Sequence, residues 1–307
     1  MRAPAFLIVI FLQFISSSAT AARLTEYHIL SSGLDRVFYL HIPAGSSAGK
    51  PVLMAFHGGG GTALNAEKQF DFSRLADQYG YILVCPQGIN KQWNDGRLAP
   101  ALGEANNDVQ FIRDILSQLA VLAPSCDTTS LFCTGISNGG FFSIYLACRL
   151  NSIVKAVAPV CASIPRDLEH SFTLNQPVPL MLIAGTADPL VKYEGGWIGF
   201  RNRDAGRGYS MPIDWTLKRW IALSGCNSNP VIETMPDTDK TDGCSCTKYS
   251  YSKDGKAFIG FIKVQNGGHA WPGGLQNLPP WMVGKLCKDF SASEMIIGFF
   301  NNFRKKE

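Results

Sequence analysis

The stretch Thr134-Gly135-Ile136-Ser137-Asn138-Gly139-Gly140 joins an apolar run, Leu131 to Thr134, to a helix-length amphipathic stretch, Gly139 to Leu150. The apolar run predicts a buried strand, and the longer stretch predicts a helix. A Gly-x-Ser-x-Gly turn at this position needs small neighbours, and it holds the serine hydroxyl clear of the sheet at a helix N-terminus. The segment therefore predicts a sharp strand-to-helix turn that presents Ser137. A glycine-rich turn with a capping serine is the alternative interpretation.

Short apolar runs alternate with helix-length stretches along the chain, which predicts an α/β fold with a mostly parallel, doubly wound sheet and helices on both faces. Together with the serine turn, this alternation indicates an α/β-hydrolase fold. The predicted elements are, in chain order, a hairpin over Leu24 to Leu30 and Val37 to Ile42, strand Val52 to Phe56, helix Ala66 to Tyr79, strand Tyr81 to Cys85, helix Asp108 to Leu122, and strands Val154 to Val160 and Leu180 to Ala184. Ligands of such sheets bind at the carboxyl ends of the strands.

The composition is that of a globular protein, with 46% hydrophobic and 17% charged residues in a chain of 307. This length fits one large α/β domain, and no repeat or linker-like tract indicates a boundary within residues 22–307. The formal net charge is +4. Because the basic residues are scattered, they form no patch that would recruit nucleic acid. We therefore expect a single domain without a nucleic-acid partner.

The N-terminus has the three parts of a secretory signal peptide. Arg2 supplies a positive charge, Ala5 to Ile15 form the apolar run, and Ala19-Thr20-Ala21 form a small-residue cleavage site. The apolar run is shorter than the ~20 residues that span a bilayer, which disfavours a stable membrane anchor. We expect removal of the signal peptide, residues 1–21, and secretion of the mature chain to an extracellular or periplasmic compartment.

A hydroxyl nucleophile needs a general base, and the base needs an orienting carboxylate. Asp188 stands just beyond a strongly apolar strand, and His269 follows the apolar run Phe258 to Val264. The order Ser137, Asp188, His269 is the order that the α/β-hydrolase fold uses. These residues are therefore the predicted catalytic triad of a serine hydrolase that needs no metal and no cofactor. Weaker candidates for the carboxylate are Asp95, Asp108, Asp204 and Asp214.

The run His57-Gly58-Gly59-Gly60-Gly61 follows an earlier predicted strand. At this position the fold places backbone N–H groups that bind the oxyanion of a tetrahedral intermediate. The predicted oxyanion donors are the N–H groups of Gly59, Gly60 and Asn138, the last of which follows the nucleophile. His57 is interpreted as a structural support of the loop, because it precedes the nucleophile in the chain whereas the fold places the base last.

These motifs resemble those of the polyhydroxybutyrate depolymerase and feruloyl esterase family, which is related to carbohydrate esterase family one. The resemblance covers nearly all of the mature chain and lies in the serine turn and in the runs Pro86-Gln87-Gly88, Trp93-Asn94, Ala158-Pro159-Val160, Gly185-Thr186-Ala187-Asp188-Pro189 with Tyr193, and Gly268-His269-Ala270-Trp271-Pro272-Gly273. It implies a serine esterase with the same triad that acts on a small-molecule or oligomeric ester substrate. Polyester depolymerases, feruloyl esterases and acetyl xylan esterases all belong to this family.

The motifs point less directly to the substrate than to the chemistry. The candidates for its binding pocket are Trp93, Asn94, Tyr193 and Trp271, and the alternative for an aromatic residue near the triad is a place in the core. Residues 194–212 are a candidate insertion over the site, with an ordinary surface loop as the alternative. The whole-chain pattern favours esters of 3-hydroxybutyrate oligomers, and hydrolysis of feruloyl or acetyl xylan esters is the alternative. A peptidase and a non-catalytic binding protein of the same fold are the other classes, because fold alone does not establish activity.

Nine cysteines lie beyond the predicted signal peptide. In an oxidising compartment some of them are expected to form disulfides, and an odd number leaves at least one thiol without a partner inside the chain. The predicted pair is Cys226 with Cys244 or Cys246. A zinc site at Cys244-Ser245-Cys246 is disfavoured, because no second cysteine or histidine pair stands nearby in the sequence at ligand spacing.

Overall fold

The apolar runs form the strands of one ten-stranded sheet in a computed structural model, which describes residues 24–99, 107–199, 206–276 and 278–305. The predicted signal peptide lies outside the described residues. The strands, which include a separate short pair, are β1 (Thr25–Ser31), β2 (Leu34–His41), β3 (Pro51–Phe56), β4 (Ile82–Pro86), β5 (Asp127–Ile136), β6 (Val154–Val160), β7 (Leu180–Gly185), β8 (Gly196–Trp197), β9 (Tyr209–Ser210), β10 (Val231–Thr234), β11 (Ser245–Lys253) and β12 (Lys256–Gln265). The helices are α1 (Ala63–Phe70), α2 (Phe72–Tyr79), α3 (Asp108–Leu122), α4 (Asn138–Arg149), α5 (Ile213–Ser224), α6 (Pro280–Val283) and α7 (Ala292–Asn301).

The main sheet is parallel at its centre and antiparallel at both edges. Its strand order is β1-β2-β4-β3-β5-β6-β7-β12-β11-β10, and every pair from β4 to β12 runs parallel. Strands β1 and β2 close one edge with antiparallel pairing, and β11 and β10 close the other. The predicted fold class, an α/β-hydrolase fold, is confirmed.

Two register pairs bring the predicted functional loops together. Phe56 at the end of β3 pairs with Gly135 in β5, so the glycine-rich loop starts beside the serine turn. Gly185 at the end of β7 pairs with Val264 in β12, so the loops that follow these two strands also start side by side. Because parallel strands end at the same edge of the sheet, all four loops lie along one rim.

Apolar residues cover both faces of the sheet. Alternate residues of β3 belong to two separate buried clusters, with Val52, Met54 and Phe56 in one and Leu53 and Ala55 in the other. Side chains of a strand alternate between its faces, so this pattern places a hydrophobic core on each side. Helices α3, α4 and α5 cover the first face, and α1, α2 and α7 cover the second. No described helix has both the length and the apolar character that crossing a membrane requires.

The single helix predicted over Ala66 to Tyr79 is two helices. Asp71, between α1 and α2, has φ 56° and ψ 36°, a left-handed conformation that ends α1. The Asp71 N–H donates to the Glu67 carbonyl at 2.8 Å, and the Glu67 side chain accepts from the Ser73 N–H at 2.6 Å. Aspartate tolerates the left-handed conformation better than most residues, so it can break a helix whose hydrophobic periodicity continues on both sides.

Cys226 does not lie near Cys244 or Cys246, contrary to the predicted disulfide. It follows α5, where the N–H of the next residue donates to the Ser252 carbonyl at 2.8 Å. Ser252 stands close to one end of β11 and Cys246 close to the other, so roughly 20 Å of strand separates them at about 3.3 Å per residue. Cys246 instead faces Cys287, with the two Sγ atoms 3.4 Å apart.

Candidate active site

Ser137 occupies a strained turn between β5 and α4. Its backbone has φ 55° and ψ −125°, in a region that residues with a side chain rarely adopt. A Cβ atom at Gly135 would lie 2.6 Å from the Phe56 carbonyl oxygen, and one at Gly139 would collide with the carbonyl oxygens of Phe56 and His57. The two glycines therefore let the turn lie directly against the end of β3, which holds Ser137 in its strained conformation.

Asp188 and His269 form a hydrogen-bonded pair at the same rim. The His269 Nδ1–H donates to Asp188 Oδ2 at 2.7 Å, and the two side chains are 9% and 1% exposed, respectively. The other carboxylate oxygen, Asp188 Oδ1, accepts from the N–H groups of Leu190 at 2.8 Å and Val191 at 2.9 Å. Because an ionised carboxylate can only accept, Nδ1 carries the proton and Nε2 is left as the basic nitrogen.

Ser137 and His269 both line a cavity of about 310 Å³ at this rim. Both residues are partly exposed, whereas Asp188 is buried. The structure thus places Ser137 and His269 at one cavity, where a substrate can reach the hydroxyl and the imidazole, and places Asp188 behind the imidazole. A serine nucleophile, a base and an orienting carboxylate need this arrangement for acyl transfer.

The glycine-rich loop after β3 borders the cavity, but its N–H groups are not equivalent. The Gly60 N–H donates to the Lys91 carbonyl at 2.8 Å, so it is not free to bind an oxyanion. The Gly59 N–H has no acceptor among the described residues. Asn138 is the first residue of α4, and the N–H of a first helical residue has no acceptor within its helix. Gly59 and Asn138 therefore remain candidate oxyanion donors, and Gly60 does not.

The side chain of Asn138 is fixed by the loop that precedes α3. Its Oδ1 accepts from the Trp93 N–H at 2.8 Å, and its Nδ2 donates to the Trp93 carbonyl at 3.0 Å and to Asp95 Oδ2 at 2.7 Å. Asp95 is in turn held by Arg97, whose Nε donates to both carboxylate oxygens at 2.9 and 3.0 Å. All of these side chains are buried. The network fixes Asn138, the residue that follows Ser137 and lines the cavity, and with it the position of its backbone N–H.

His57 is buried beside the glycine-rich loop. Its Nδ1–H donates to the Gly58 carbonyl at 2.8 Å, and its Nε2 accepts from the Gly88 N–H at 3.0 Å. Burial lowers the pKa of His57 to about 4. The imidazole is therefore neutral at neutral pH, and both of its nitrogens are used to hold the loop in place.

Trp93 and Trp271, two of the predicted pocket residues, are core residues instead. Trp93 is fully buried, stacks on Phe142 and donates its indole N–H to the His57 carbonyl at 3.0 Å. Trp271 is 1% exposed, and its indole N–H donates to Ser293 Oγ at 3.0 Å. Both side chains are enclosed because their polar edge and their aromatic faces find partners inside the protein.

Tyr193 and Asn94, the other two predicted pocket residues, are also absent from the described lining of the cavity. Tyr193 is 7% exposed, and its hydroxyl donates to Asp214 Oδ1 at 2.7 Å. The Asn94 N–H donates to Asp108 Oδ2 at 2.7 Å. The structure therefore places both residues in the framework around the site, where they connect loops to helices α5 and α3.

Residues that the motifs do not reveal line the cavity. One group carries amide and hydroxyl side chains, namely Thr62, Asn65, Gln69, Gln92 and Gln276. A second group is aliphatic, namely Ile136, Leu190, Ile198, Leu275, Leu278 and Val283. No phenylalanine, tyrosine or tryptophan is among the described lining residues. Of these lining residues, only Gln92 could have been suspected from the sequence, because it directly precedes the Trp93-Asn94 motif.

The insertion predicted over residues 194–212 borders this cavity. Its strands β8 and β9 pair as a two-stranded antiparallel sheet, and Ile198 and Arg207 contribute to the cavity lining. Residues 200–205 lie outside the described residues. The described parts of the insertion therefore form one side of the cavity.

Cys161 lies next to the Asp188–His269 pair, at a distance at which the three side chains could share a metal ion. Its thiol donates to the Ala270 carbonyl, with Sγ 3.4 Å from the oxygen. Burial raises the pKa of the Cys161 thiol well above its usual range. The Cys161 thiol and the Asp188–His269 pair are thus already engaged in hydrogen bonds within the protein.

Curated relatives of the chain are named as esterases or depolymerases. "Probable feruloyl esterase C" of Aspergillus niger is 30% identical over 256 residues, which cover 79% of each chain. "Putative esterase NocK" of Nocardia uniformis subsp. tsuyamanensis is 25% identical over 286 residues, 91% of this chain and 83% of that protein. "Poly(3-hydroxyalkanoate) depolymerase C" of Paucimonas lemoignei is 23% identical over 257 residues, 76% of this chain and 58% of that protein. The chain spans 42% of the length of a further relative, "Feruloyl esterase B" of Piromyces equi.

No protein-family model matches the chain. Among solved structures, the acetyl xylan esterase from Aspergillus awamori aligns with a TM-score of 0.52 at 13% identity, over 80% of this chain and 94% of that one. This likeness shows the fold, and the identity to the Aspergillus niger relative shows the family. The chain belongs to the polyhydroxybutyrate depolymerase and feruloyl esterase family of α/β-hydrolases, and it is a carboxylic ester hydrolase.

Proposed function

We propose that the chain hydrolyses its ester through an acyl-enzyme on Ser137. Ser137 Oγ attacks the ester carbonyl, His269 Nε2 takes the proton and returns it to the leaving alcohol, and Asp188 holds the imidazole through Nδ1. Water then attacks the acyl-enzyme with the same base and releases the acid. The observation that carries this proposal is the cavity shared by Ser137 and the His269 ring, with Asp188 hydrogen-bonded behind the ring.

The oxyanion of each tetrahedral intermediate would bind the N–H groups of Gly59 and Asn138. One such donor is typically worth about 3 kcal/mol of transition-state stabilisation. The support for this pair is that Gly60 is engaged with Lys91, whereas the Gly59 N–H has no acceptor among the described residues. A Cβ atom on Gly59 would lie 2.9 Å from Gln92 Oε1, so glycine allows the loop to lie close to the Gln92 side chain.

For the substrate, we propose esters of short 3-hydroxyalkanoate oligomers, such as the 3-hydroxybutyrate trimer. The cavity of about 310 Å³ suits a small acyl group, and its described lining is aliphatic and amide rather than aromatic. The described part of the lining therefore offers a phenolic ring no phenylalanine, tyrosine or tryptophan side chain to stack on. Arg207 adds a positive charge that can attract the free carboxylate at the end of an oligomer. The depolymerase of Paucimonas lemoignei is a relative whose name agrees with this substrate class.

Hydrolysis of feruloyl or acetyl xylan esters is the second candidate function. The observation that favours it is the 30% identity to a relative named as a feruloyl esterase, over 79% of both chains. The polar side chains of the cavity, Gln92 and Gln69 among them, could also bind the hydroxyl groups of a sugar.

A substrate panel tests these proposals. The purified protein is assayed for kcat/KM with the 3-hydroxybutyrate trimer, methyl ferulate and acetylated xylo-oligosaccharides, with Ser137→Ala as the background control. We expect the trimer to be preferred by about tenfold or more, roughly 1.4 kcal/mol of differential transition-state binding. A preference for ferulate or acetyl xylan would overturn the substrate proposal while leaving the ester mechanism standing. Cleavage of a chromogenic peptide in place of esters would overturn both.

We also propose that residues 1–21 direct export and are removed after Ala21, which leaves residues 22–307 as a single esterase domain. The support is the order of a basic residue, an apolar run and small residues at the N-terminus. Expression in a secreting host followed by N-terminal sequencing of the protein in the medium tests it. We expect Ala22 as the first residue, and a cell-retained protein that still starts at Met1 would contradict the proposal.

A further inference from the structure

Two cysteines outside the triad connect separate parts of the chain. Cys246 lies near the start of β11 and Cys287 lies in the segment after α6, and their Sγ atoms are 3.4 Å apart. Both residues are 2% exposed. Disulfide sulfur atoms are about 2.05 Å apart, so the two Sγ atoms need to approach each other by only about 1.4 Å to form one.

Cys287 ends a segment that holds the loop carrying His269. We call residues 283–287 the strap, because their carbonyl groups accept hydrogen bonds from the backbone N–H groups of residues 268–273. These bonds join Gly268 to Lys285 at 2.8 Å, His269 to Val283 at 2.5 Å and Gly273 to Cys287 at 2.9 Å. The position of His269 therefore depends on the position of the strap.

Cys246 is part of the sheet itself. It pairs with Val264 in β12, the strand from which the His269 loop emerges. A covalent bond from Cys246 to Cys287 would therefore join the strap to the strand beside β12. We infer that Cys246 and Cys287 form a disulfide that fixes the strap, and with it the His269 loop, to the edge of the sheet.

The disulfide forms by thiol–disulfide exchange, with oxidised glutathione as the oxidant. One cysteine thiolate attacks a sulfur atom of oxidised glutathione, which yields a mixed disulfide and releases one glutathione thiolate. The second cysteine, after losing its proton to solvent, attacks the protein sulfur of the mixed disulfide and releases the second glutathione thiolate. Two protein thiols are thus oxidised and one glutathione disulfide is reduced. Because both thiols are buried in the folded protein, the exchange takes place as the chain folds.

A metal ion is the other occupant that clustered thiols can bind. Asp289 Oδ2 lies 3.6 Å from Cys287 Sγ and 3.9 Å from Cys246 Sγ. Cys244, however, approaches Cys287 only in a separate set with Asp242. Each set of described residues thus brings three ligands together, whereas structural zinc sites in proteins have four.

The Asp242 carboxylate is also already in use. Its Oδ1 accepts from the Cys244 N–H and its Oδ2 from the Lys288 N–H, both at 2.7 Å. The hydrogen bond with Cys246 and burial both raise the pKa of Cys287. A disulfide is uncharged and fits this buried position, so the geometry favours it over a metal.

A cysteine map of the full chain tests the inference. The purified protein is refolded with reduced and oxidised glutathione, denatured without reductant, alkylated and digested. We expect a peptide that links Cys246 to Cys287, with both cysteines alkylated only after reduction. Alkylation of both before reduction, linkage of either to another cysteine, or one bound zinc ion whose removal exposes both thiols would overturn the inference. The buffer supplies the oxidant, so the result does not depend on export or on the substrate.

Variants test the effect on the His269 loop. Cys246→Ser, Cys287→Ser and the double variant should lose a similar amount of thermal stability, on the order of 5–10 °C in Tm. None of them should respond to reductant, whereas the wild-type Tm and the half-life of its esterase activity should fall when reductant is added. Cys226→Ser is the matched control and should keep the wild-type response. Additive losses in the double variant, or a reductant response of Cys287→Ser like that of the wild type, would contradict the inference.

Discussion

The Nδ2 of Asn138 donates a hydrogen bond of 2.7 Å to Asp95 Oδ2, so the residue that follows Ser137 is tied to the loop before α3. Asp95 is completely buried and forms an ion pair with Arg97, whereas the carboxylate that pairs with His269 is Asp188. Hydrogen-bond donors that are fixed before the reaction cost no reorganisation when the oxyanion forms. Asp95 is therefore best understood as a positioning residue for Asn138, whose N–H is the proposed oxyanion donor.

Asn138→Ala tests this relationship, because it keeps the backbone N–H and removes the three side-chain hydrogen bonds that fix it. We expect kcat to fall by about tenfold or more with little change in KM, since a misplaced donor weakens binding of the transition state. Steady-state kinetics on a soluble ester measure the effect.

Ser143→Ala is the matched control for this variant. It removes a buried hydrogen bond to the Gly139 carbonyl within the same helix, at 2.9 Å, without touching the Asn138 side chain. We expect it to lower the free energy of unfolding by about 1 kcal/mol and to leave kcat unchanged. Wild-type kcat for Asn138→Ala, or an equal loss of kcat in both variants, would argue against the positioning role.

The proposed triad makes a second prediction. Ser137→Ala and His269→Ala should each lower kcat by roughly 10⁴-fold or more, because the residues act as one unit. Asp188→Asn should be severely impaired, since an amide cannot hold the Nδ1–H tautomer in place. Ester hydrolysis measures the losses, fluorophosphonate labelling reports on the nucleophile, and circular dichroism controls for folding. Near-normal turnover by Ser137→Ala would remove it from the mechanism.

The parts of the site that local sequence encodes could be predicted. The turn at Ser137 could be predicted because a strand end, two glycines and a helix start are contiguous in the chain. Asp188 and His269 follow apolar strands whose carboxyl ends share a rim in a parallel sheet. Their positions after these strands therefore predicted that the two side chains lie close to Ser137. The fold class could be predicted for the same reason, because burial of both sheet faces produces near-continuous apolar runs.

The parts that tertiary neighbours decide could not be predicted. Trp93 and Trp271 stand beside motif residues, but whether an indole faces a cavity or the core depends on distant partners such as Phe142 and Ser293. The engagement of Gly60 with Lys91 depends on how two loops meet. Pairing of cysteines likewise depends on which ends of the strands are close in space, which spacing in the sequence does not show.

A third prediction concerns the strain at Ser137. With φ 55° and ψ −125°, the position disfavours any residue with a Cβ atom, whereas glycine adopts it readily. Both Ser137→Gly and Ser137→Ala remove the nucleophile, so neither should be active. We expect Ser137→Gly to be the more stable variant, with a free energy of unfolding about 1 kcal/mol higher than that of Ser137→Ala. Chemical denaturation of the two variants measures the difference, and a more stable alanine variant would show that the turn is not strained.

A fourth prediction concerns Glu67 and pH. Glu67 is 6% exposed, and its Oε2 has no hydrogen-bond partner among the described residues. Burial raises the pKa of Glu67 from 4.5 to about 7. Since the folded pKa lies above the unfolded one, the unfolded state holds fewer protons between these two values. The free energy of unfolding therefore falls as the pH rises through this window, by about 3 kcal/mol in total, and levels off above it.

Glu67→Gln should remove most of this decline. We expect the Tm of the variant to change less than that of the wild type between about pH 5 and about pH 8, as followed by differential scanning calorimetry. Glu233→Gln is the control, because Glu233 is an exposed residue on β10. This variant should keep the wild-type decline. An identical pH response of Glu67→Gln and the wild type would show that Glu67 is ionised throughout.

The last prediction concerns Arg207 and the proposed oligomer substrate. Arg97 and Arg207 both line the cavity, but the charge of Arg97 is neutralised by Asp95. Arg207 is exposed, and no described carboxylate lies within ion-pair distance of it. Its carbonyl accepts from Arg97 Nη1 at 2.8 Å, which fixes its backbone at the cavity. Arg207 can therefore bind an anionic group of a substrate whose ester lies at Ser137.

Arg207→Gln should raise the KM for the 3-hydroxybutyrate trimer with a free carboxylate by about three- to tenfold, the size expected for one partly exposed charge pair. The KM for the methyl ester of the same trimer should not change, because that substrate has no charge to bind. Higher salt should reproduce the effect in the wild type by screening the pair. Arg166→Gln removes an exposed arginine near β9 that does not line the cavity, so it controls for the overall charge. An equal rise in KM for the acid and for its methyl ester would show that Arg207 shapes the cavity but does not bind the carboxylate of the substrate.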